Sequence, residues 1–365
     1  MNLNAKGLFI LSAAVLFAMK SFAFTAPANS FLKALEELQV QKFIVTPDDG
    51  NKQLIEAFNS ATKTIQVGIF GISSQDIADS LVTAQKRGVH VTVICDSYCE
   101  SNPKRLAITN QLRDSGAAVY IASTGFSITH WKMFVIDQKL AFISTMNFIA
   151  RHDQMRDMGV FVTNPSIIKE MLAVYNADIE NSKNQTTITP TLTQPNLLWS
   201  PVNSEDKLVQ LINTADSSIE IWIENMGNKK IHSALANAVK RNVNVRVLTS
   251  LCGMGMPVAS AHEVLKQLIG MGIRVQGMPY PATNDAPYIH AKTINVDHQV
   301  VFLGSENFSN NSLLSSRELG IIFKDANIQQ RMADLYESDW KGSLPIPAVA
   351  PATCDALTPP PGVQN

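Results

Sequence analysis

The stretch HAKTINVDHQVVFLGSEN, residues 290–307, recurs in the same chain as HWKMFVIDQKLAFISTMN, residues 130–147. In both copies Lys follows His by two positions, Asp follows Lys by five, and Asn follows Asp by ten. The apolar, β-branched runs MFVI and LAFIS, or TINV and VVFLG, predict two strands joined by a polar turn at Asp137 or Asp297. Side chains alternate faces along a strand, so His130 and Lys132 share a face, as do His290 and Lys292, and Ser305 and Asn307. Asp297 lies an odd number of residues from His290, so both motif acids, Asp137 and Asp297, are expected to brace the turn rather than meet a reacting atom.

Each shared face then carries an imidazole, an ammonium and hydrogen-bond donors. Two such sets brought together suit a phosphodiester. Cations and donors hold the non-bridging oxygens, one imidazole attacks phosphorus, and the other protonates the departing oxygen. The scheme requires no metal or cofactor. A lone His or Lys on a strand is usually structural or solvated, but two pairs with matching downstream Asp and Asn make that reading poor here.

The duplicated HxKxxxxD pattern followed by GSxN resembles the phospholipase D superfamily, whose members include phospholipases, cardiolipin-synthase-like transferases, nucleases and tyrosyl-DNA phosphodiesterases. The likeness extends over roughly residues 45–340 and is sharp at the motifs. It implies one site built from both copies, with His130 as nucleophile and His290 as general acid, then base. Lys132, Lys292, Asn147 and Asn307 would bind phosphate, assisted by Ser305 and Thr145. It also implies a downstream acid as partner for each imidazole, holding its tautomer and its charge. Asp157 and Glu318, which open the strand after each motif, are the candidates; the competing reading pairs each with its neighbouring arginine, Arg156 or Arg317. The first copy departs from the pattern at Ser144-Thr145, where the family has Gly-Ser, and the extra side chain is expected to narrow the phosphate pocket.

The duplication reaches beyond the motifs. Residues 47–81 match 201–235 at a constant offset of 154: LIEAFNSA against LVQLINTA, then TIQVGIF against SIEIWIE. KRGVHVTVI and KRNVNVRVL continue the register, and Gly116 and Gly272 each close a helix before a strand. The offset reaches 160 at the motifs, which places an insertion in PYPATNDAP, residues 279–287, a loop expected to border the site. Tyr175 and Asp178 match Tyr336 and Asp339. The fold class is therefore α/β: two repeated halves, each a central mixed β-sheet flanked by helices, packed as a pseudo-twofold dimer with one active site at the interface. The expected domains are a first half at 24–180, a Thr-, Asn- and Pro-rich linker at 181–198, a second half at 199–344 and a Pro-rich tail at 345–365.

The chain has 365 residues, 45% hydrophobic and 17% charged, enough for large cores. Met1–Lys6 is polar and basic, Gly7–Met19 is apolar, and Ser21-Phe22-Ala23 offers small residues at a cleavage site, so residues 1–23 read as a secretory signal peptide. A periplasmic or secreted location follows. Its removal leaves 28 basic and 31 acidic residues, a net charge of −3, without the basic excess of a dedicated nucleic-acid binder. Cys95, Cys99, Cys252 and Cys354 fit an oxidising compartment; of three connectivities we favour Cys95–Cys99 with Cys252–Cys354. The leading function is a secreted, metal-independent phosphodiesterase acting on phospholipids by hydrolysis or phosphatidyl transfer through a phosphohistidine, as a monomer with transient membrane-surface contact. The alternatives are a nuclease using the same chemistry and a non-catalytic binder of phosphate-bearing surfaces.

Overall fold

The computed structural model describes residues 26–149, 154–252 and 258–352. The expected signal peptide and Cys354 lie outside the described residues. The first half contributes strands β1 (Val40–Thr46), β2 (Thr64–Ile69), β3 (His90–Cys95), β4 (Ala118–Ile121), β5 (Lys132–Ile136), β6 (Leu140–Ser144) and β7 (Met155–Val162). The second contributes β8 (Leu197–Ser200), β9 (Ser218–Ile223), β10 (Asn244–Ser250), β11 (Arg274–Met278), β12 (Tyr288–Ile289), β13 (Lys292–Val296), β14 (Val300–Gly304), β15 (Glu318–Phe323) and β16 (Leu344–Pro345).

The two sheets have one topology. The first runs β1-β7-β6-β5-β2-β3-β4, and the second runs β8-β15-β14-β13-β9-β10-β11, with β16 added at its edge. Within each, β2-β3-β4 or β9-β10-β11 pair parallel through helical crossovers and the remaining neighbours pair antiparallel, so both sheets are mixed. Each motif is the hairpin its sequence predicts. Asp137 and Gln138, like Asp297 and His298, take left-handed backbone angles at the two turn positions, the geometry a two-residue hairpin needs to match strand twist.

The motif acids do brace these turns. Asp137 accepts the amides of Thr62, Lys63 and Thr64 and the Thr62 hydroxyl; Asp297 accepts those of Asp216, Ser217 and Ser218 and the Ser217 hydroxyl. Burial alone would raise the Asp137 carboxyl, but these donors, the Thr64 amide foremost, hold it at about 2. The basic helix ends are equally structural. Arg87 donates to the carbonyls of Phe58, Asn59 and Ala61, and Arg241 to those of Ile212, Asn213 and Ala215, closing the helix that precedes each central strand.

Three apolar clusters hold the molecule together. One lies under the helices of each half, and the third is shared, with Trp131 and Tyr175 from the first half and Trp199, Trp222 and Tyr336 from the second all fully buried. Trp131 and Trp222 are thus core residues. Truncating one such aromatic costs roughly 3–5 kcal/mol, so the shared cluster fixes the halves against each other.

The chain also laces the halves. β12 leaves its own sheet to pair parallel with β7, and Thr129 bridges to Arg317 at the matching place. The linker is shorter than the 181–198 expected from composition. The closing helix Pro165–Asn184 continues past residue 180, because the buried Asn181 side chain caps the returning chain at Thr186 and Ile188, and β8 already begins at Leu197. Cys95 and Cys99 are joined as expected.

Candidate active site

The lacing brings the ends of β5 and β13 to one place. His130 donates its backbone N–H to the Arg317 carbonyl, and His290 and Ala291 donate theirs to the Arg156 carbonyl, so each motif begins anchored on the other half. The side chains repeat the exchange. His130 Nδ1 lies 2.9 Å from Glu318 Oε2, and His290 Nδ1 lies 2.7 Å from Asp157 Oδ1. The sequence left open whether these acids serve the imidazoles or the neighbouring arginines; the structure pairs each with the histidine of the opposite half. A carboxylate only accepts here, so Nδ1 carries the proton and Nε2 of each ring is free for chemistry.

Both acids are positioned in turn. Thr145 donates its hydroxyl to Asp157 Oδ1, and Ser312 donates to Glu318 Oε1 at 2.6 Å. The two arginines have a separate task. Arg156 pairs with Asp339 and Arg317 with Asp178, again across the halves and buried.

Lys132 and Lys292 are almost completely buried, and each turns back to donate to the carbonyl of the histidine two residues before it. Burial, and then the Lys292 charge, pull the Lys132 ammonium down to about 7. Burial and the Lys132 charge likewise lower the His130 imidazole, against the opposing pull of Glu318. Burial would raise the Asp157 carboxyl, but His290 and Lys292 hold it below the ordinary range. Two lysines, two imidazoles and their acids thus share one enclosed, low-dielectric site, where oriented charges act most strongly.

The remaining predicted residues divide. Asn307 reaches the site, donating to Glu224 Oε2 at 3.2 Å, and the buried Asn147 carbonyl oxygen has no partner among the described residues. Thr145 and Ser305 are engaged elsewhere: Thr145 holds Asp157 and the Met158 amide, and Ser305 exchanges bonds with the Leu319 backbone. Their hydroxyls support the strand after the motif rather than facing a ligand.

Ser144 does not narrow the pocket either. Its hydroxyl turns onto the Lys132 carbonyl at 3.2 Å, and the position is tied to its neighbour two residues on. In the second copy a Cβ at Gly304 would stand 2.3 Å from Glu306 Oε2, whereas the first copy has Met146 in place of Glu306. Glycine is required where the buried Glu306 and the Gly320 backbone close the space, and serine stands in the first copy, where Met146 replaces the glutamate.

Glu224, just beyond β9, escaped the sequence reading. Its Oε2 accepts from Lys292 Nζ at 2.7 Å and stands 3.8 Å from His290 Nε2, and its Oε1 accepts from the Tyr288 hydroxyl at 3.2 Å. The signal was present in the repeat: TIQVGIF ends on Phe70 where SIEIWIE ends on Glu224. Phe70 packs edge-on to His130, with ring centroids 4.9 Å apart. The two histidines therefore sit in different surroundings.

The family described as "Cardiolipin synthase, PLD-like domain" matches residues 54–179 and, a second time, 208–340. The chain belongs to this family, and with it to the phospholipase D superfamily of phosphodiesterases. Phospholipase D Z of Dictyostelium discoideum is 28% identical over 143 residues, 35% of this chain and 33% of that protein. The match thus takes in about a third of that relative's length. Cardiolipin synthase A of Buchnera aphidicola subsp. Baizongia pistaciae is 20% identical over 341 residues, 81% of this chain and 68% of that protein. Phosphatidylserine synthase of Haemophilus influenzae Rd KW20 shares the fold, with a TM-score of 0.62 over 86% of this chain and 89% of that one at 15% identity.

Proposed function

We propose that the protein is an exported, metal-independent phosphodiesterase of phospholipase D type, which cleaves phospholipids or transfers their phosphatidyl group to an alcohol. The observation that carries this reading is the reciprocal pair of braced imidazoles, each holding its Nδ1 proton on a carboxylate of the other half and presenting Nε2. Two relatives named for phospholipase D and cardiolipin synthase support a lipid substrate, as does the lack of a basic excess.

In the first step His130 Nε2 attacks phosphorus; a P–N bond forms as the P–O bond to the leaving alcohol breaks, and His290 gives its Nε2 proton to that oxygen. In the second, water or an alcohol passes a proton to His290 Nε2 and attacks phosphorus, breaking the P–N bond. The surroundings favour this order of roles. His130, lowered by burial and Lys132, keeps a free lone pair at neutral pH. His290 has Asp157 at one ring nitrogen and Glu224 3.8 Å from the other, whereas His130 has the apolar Phe70 ring beside it. Lys132, Lys292, Asn147 and Asn307 hold the non-bridging oxygens.

The test is incubation of the mature protein in EDTA with phosphatidylcholine, phosphatidylethanolamine and phosphatidylglycerol, with and without a primary alcohol. Phosphatidic acid, or the phosphatidyl alcohol when alcohol is present, is expected. Failure to turn over any of the three lipids overturns the proposal, and cleavage of single-stranded DNA instead would reassign the substrate to nucleic acid.

A further inference from the structure

A site for a phosphate anion holds an anion of its own. The Glu224 carboxylate takes up the hydrogen bonds of Lys292 Nζ and Asn307 Nδ2 on one oxygen and of the Tyr288 hydroxyl on the other, and it stands 3.8 Å from His290 Nε2. Lys292 and Asn307 are the groups that the second half has to offer a non-bridging oxygen. The first half has no counterpart, because the matching position is Phe70, whose ring lies 5.4 Å from Lys132 Nζ, and the Asn147 carbonyl oxygen has no partner.

We propose that Glu224 is a built-in competitor for the second-half phosphate seat, and that a substrate phosphate binds by displacing this carboxylate from Lys292 and Asn307. This deepens the phosphodiesterase reading and rests on it. Displacement is open to Glu224 because it is the outermost of the site's carboxylates: its side chain is 13% exposed, against 1% for Asp157 and for Glu318. Among the described residues it is also held by side chains, Lys292, Asn307 and Tyr288, rather than by backbone amides. Protonation is a poor alternative route. Burial would raise the carboxyl, but Lys292 and His290 hold it far below the ordinary glutamate range.

The consequence is selection by charge. A displaced but nearby carboxylate opposes a dianion more than a monoanion, so the seat favours a diester over a phosphomonoester and helps release a monoester product. Substrate specificity for diesters would then reside in one residue that only the second half carries.

The experiment measures inorganic phosphate binding to the full mature chain by titration calorimetry near neutral pH. Glu224→Gln, which keeps the shape and one acceptor oxygen and removes the charge, is expected to bind phosphate about tenfold or more tightly than wild type. The gain should vanish in a Lys292→Met background. Tyr288→Phe releases one hold on Glu224 without touching Lys292 and should tighten binding by a smaller factor; it decides the matter if Glu224→Gln does not fold. Equal phosphate affinity in wild type and the Glu224→Gln or Tyr288→Phe variant, with binding still lost in Lys292→Met, overturns the competitor and leaves the phosphodiesterase reading standing. Phosphate binding untouched by Lys292→Met shows instead that the seat is not here, and both fall.

Discussion

Arg156 grips both carboxylate oxygens of Asp339, Nε to Oδ2 at 2.9 Å and Nη2 to Oδ1 at 2.8 Å, and the pair is buried between the two halves. Trp222 adds a third donor to Oδ2 at 3.0 Å. Because Asp157 follows Arg156 and holds His290, this ion pair fixes the strand that carries the His290 partner. Arg317 and Asp178 do the same for Glu318 and His130.

Asp339→Asn should therefore act on stability and catalysis together. It takes the bidentate carboxylate from a buried guanidinium and leaves it the half-exposed Asp48 at 3.3 Å, at a cost of up to roughly 3–5 kcal/mol, and loosens Asp157. Urea unfolding should show a lower midpoint, with kcat reduced in the surviving folded protein. The double variant Arg156→Met, Asp339→Leu should recover much of the stability, since no charge is then left unpaired. A double variant no more stable than Asp339→Asn would show that the arginine does more than balance the charge.

Asp157→Asn and Glu318→Gln should each lower kcat by roughly 10²–10⁴-fold with little change in KM, because an amide no longer fixes the ring tautomer or favours its cation. The two variants should differ in leaving-group dependence. In the proposed mechanism Asp157 supports His290, the proton donor, so its loss should matter less for a p-nitrophenyl ester, which departs without protonation, than for an ester of an ordinary alcohol. In the same proposal Glu318 supports the attacking His130, and its loss should matter equally for both substrates. Rates on the two esters check this; a reversed pattern would exchange the roles of the histidines.

Ser144→Gly should be tolerated, costing about 1 kcal/mol or less through added chain freedom. Gly304→Ala should cost roughly 1–3 kcal/mol by overpacking, because its Cβ would meet Glu306 Oε2 at 2.3 Å and Gly320 Cα at 2.5 Å. Coupling to Glu306→Ala, which empties that space, should soften the Gly304→Ala loss. Thermal unfolding of the two single variants and the double reads the difference.

The hairpins, turn acids and repeated halves were legible because each depends on local spacing: period two in the strands, an Asp at each turn, a constant offset between halves. The exchange of Asp157 and Glu318 was not, since of the two candidate acids Asp157 is the nearer in sequence to His130, whereas its partner Glu318 is 188 positions away. That choice is made by β12 and Thr129 crossing to the opposite sheet, a tertiary event with no local signature. Glu224 was readable only as a difference between repeats. An apolar strand ending in a charge at one copy and in Phe70 at the other marks where pseudo-symmetry has been broken, and the break falls beside the motif histidines.

Glu306 offers a prediction in which pH carries the test. Its side chain is fully buried, with one oxygen accepting from Ser204 at 2.9 Å and the other without a partner. Burial, and then the Glu318 charge, push its carboxyl well above the ordinary glutamate range. The folded chain therefore keeps a proton that the unfolded chain releases. The stability this contributes is complete below the ordinary glutamate range and is lost as pH rises toward the folded value, at about 1.4 kcal/mol per pH unit. Glu306→Gln has the same shape and no proton to lose. Its stability should match wild type near pH 4 and exceed it increasingly from pH 5 upward, as read by denaturant unfolding across that range. A constant difference between the two proteins at all pH values would mean that Glu306 does not titrate between the folded and unfolded states, and that its neighbour Glu318 is free of its influence.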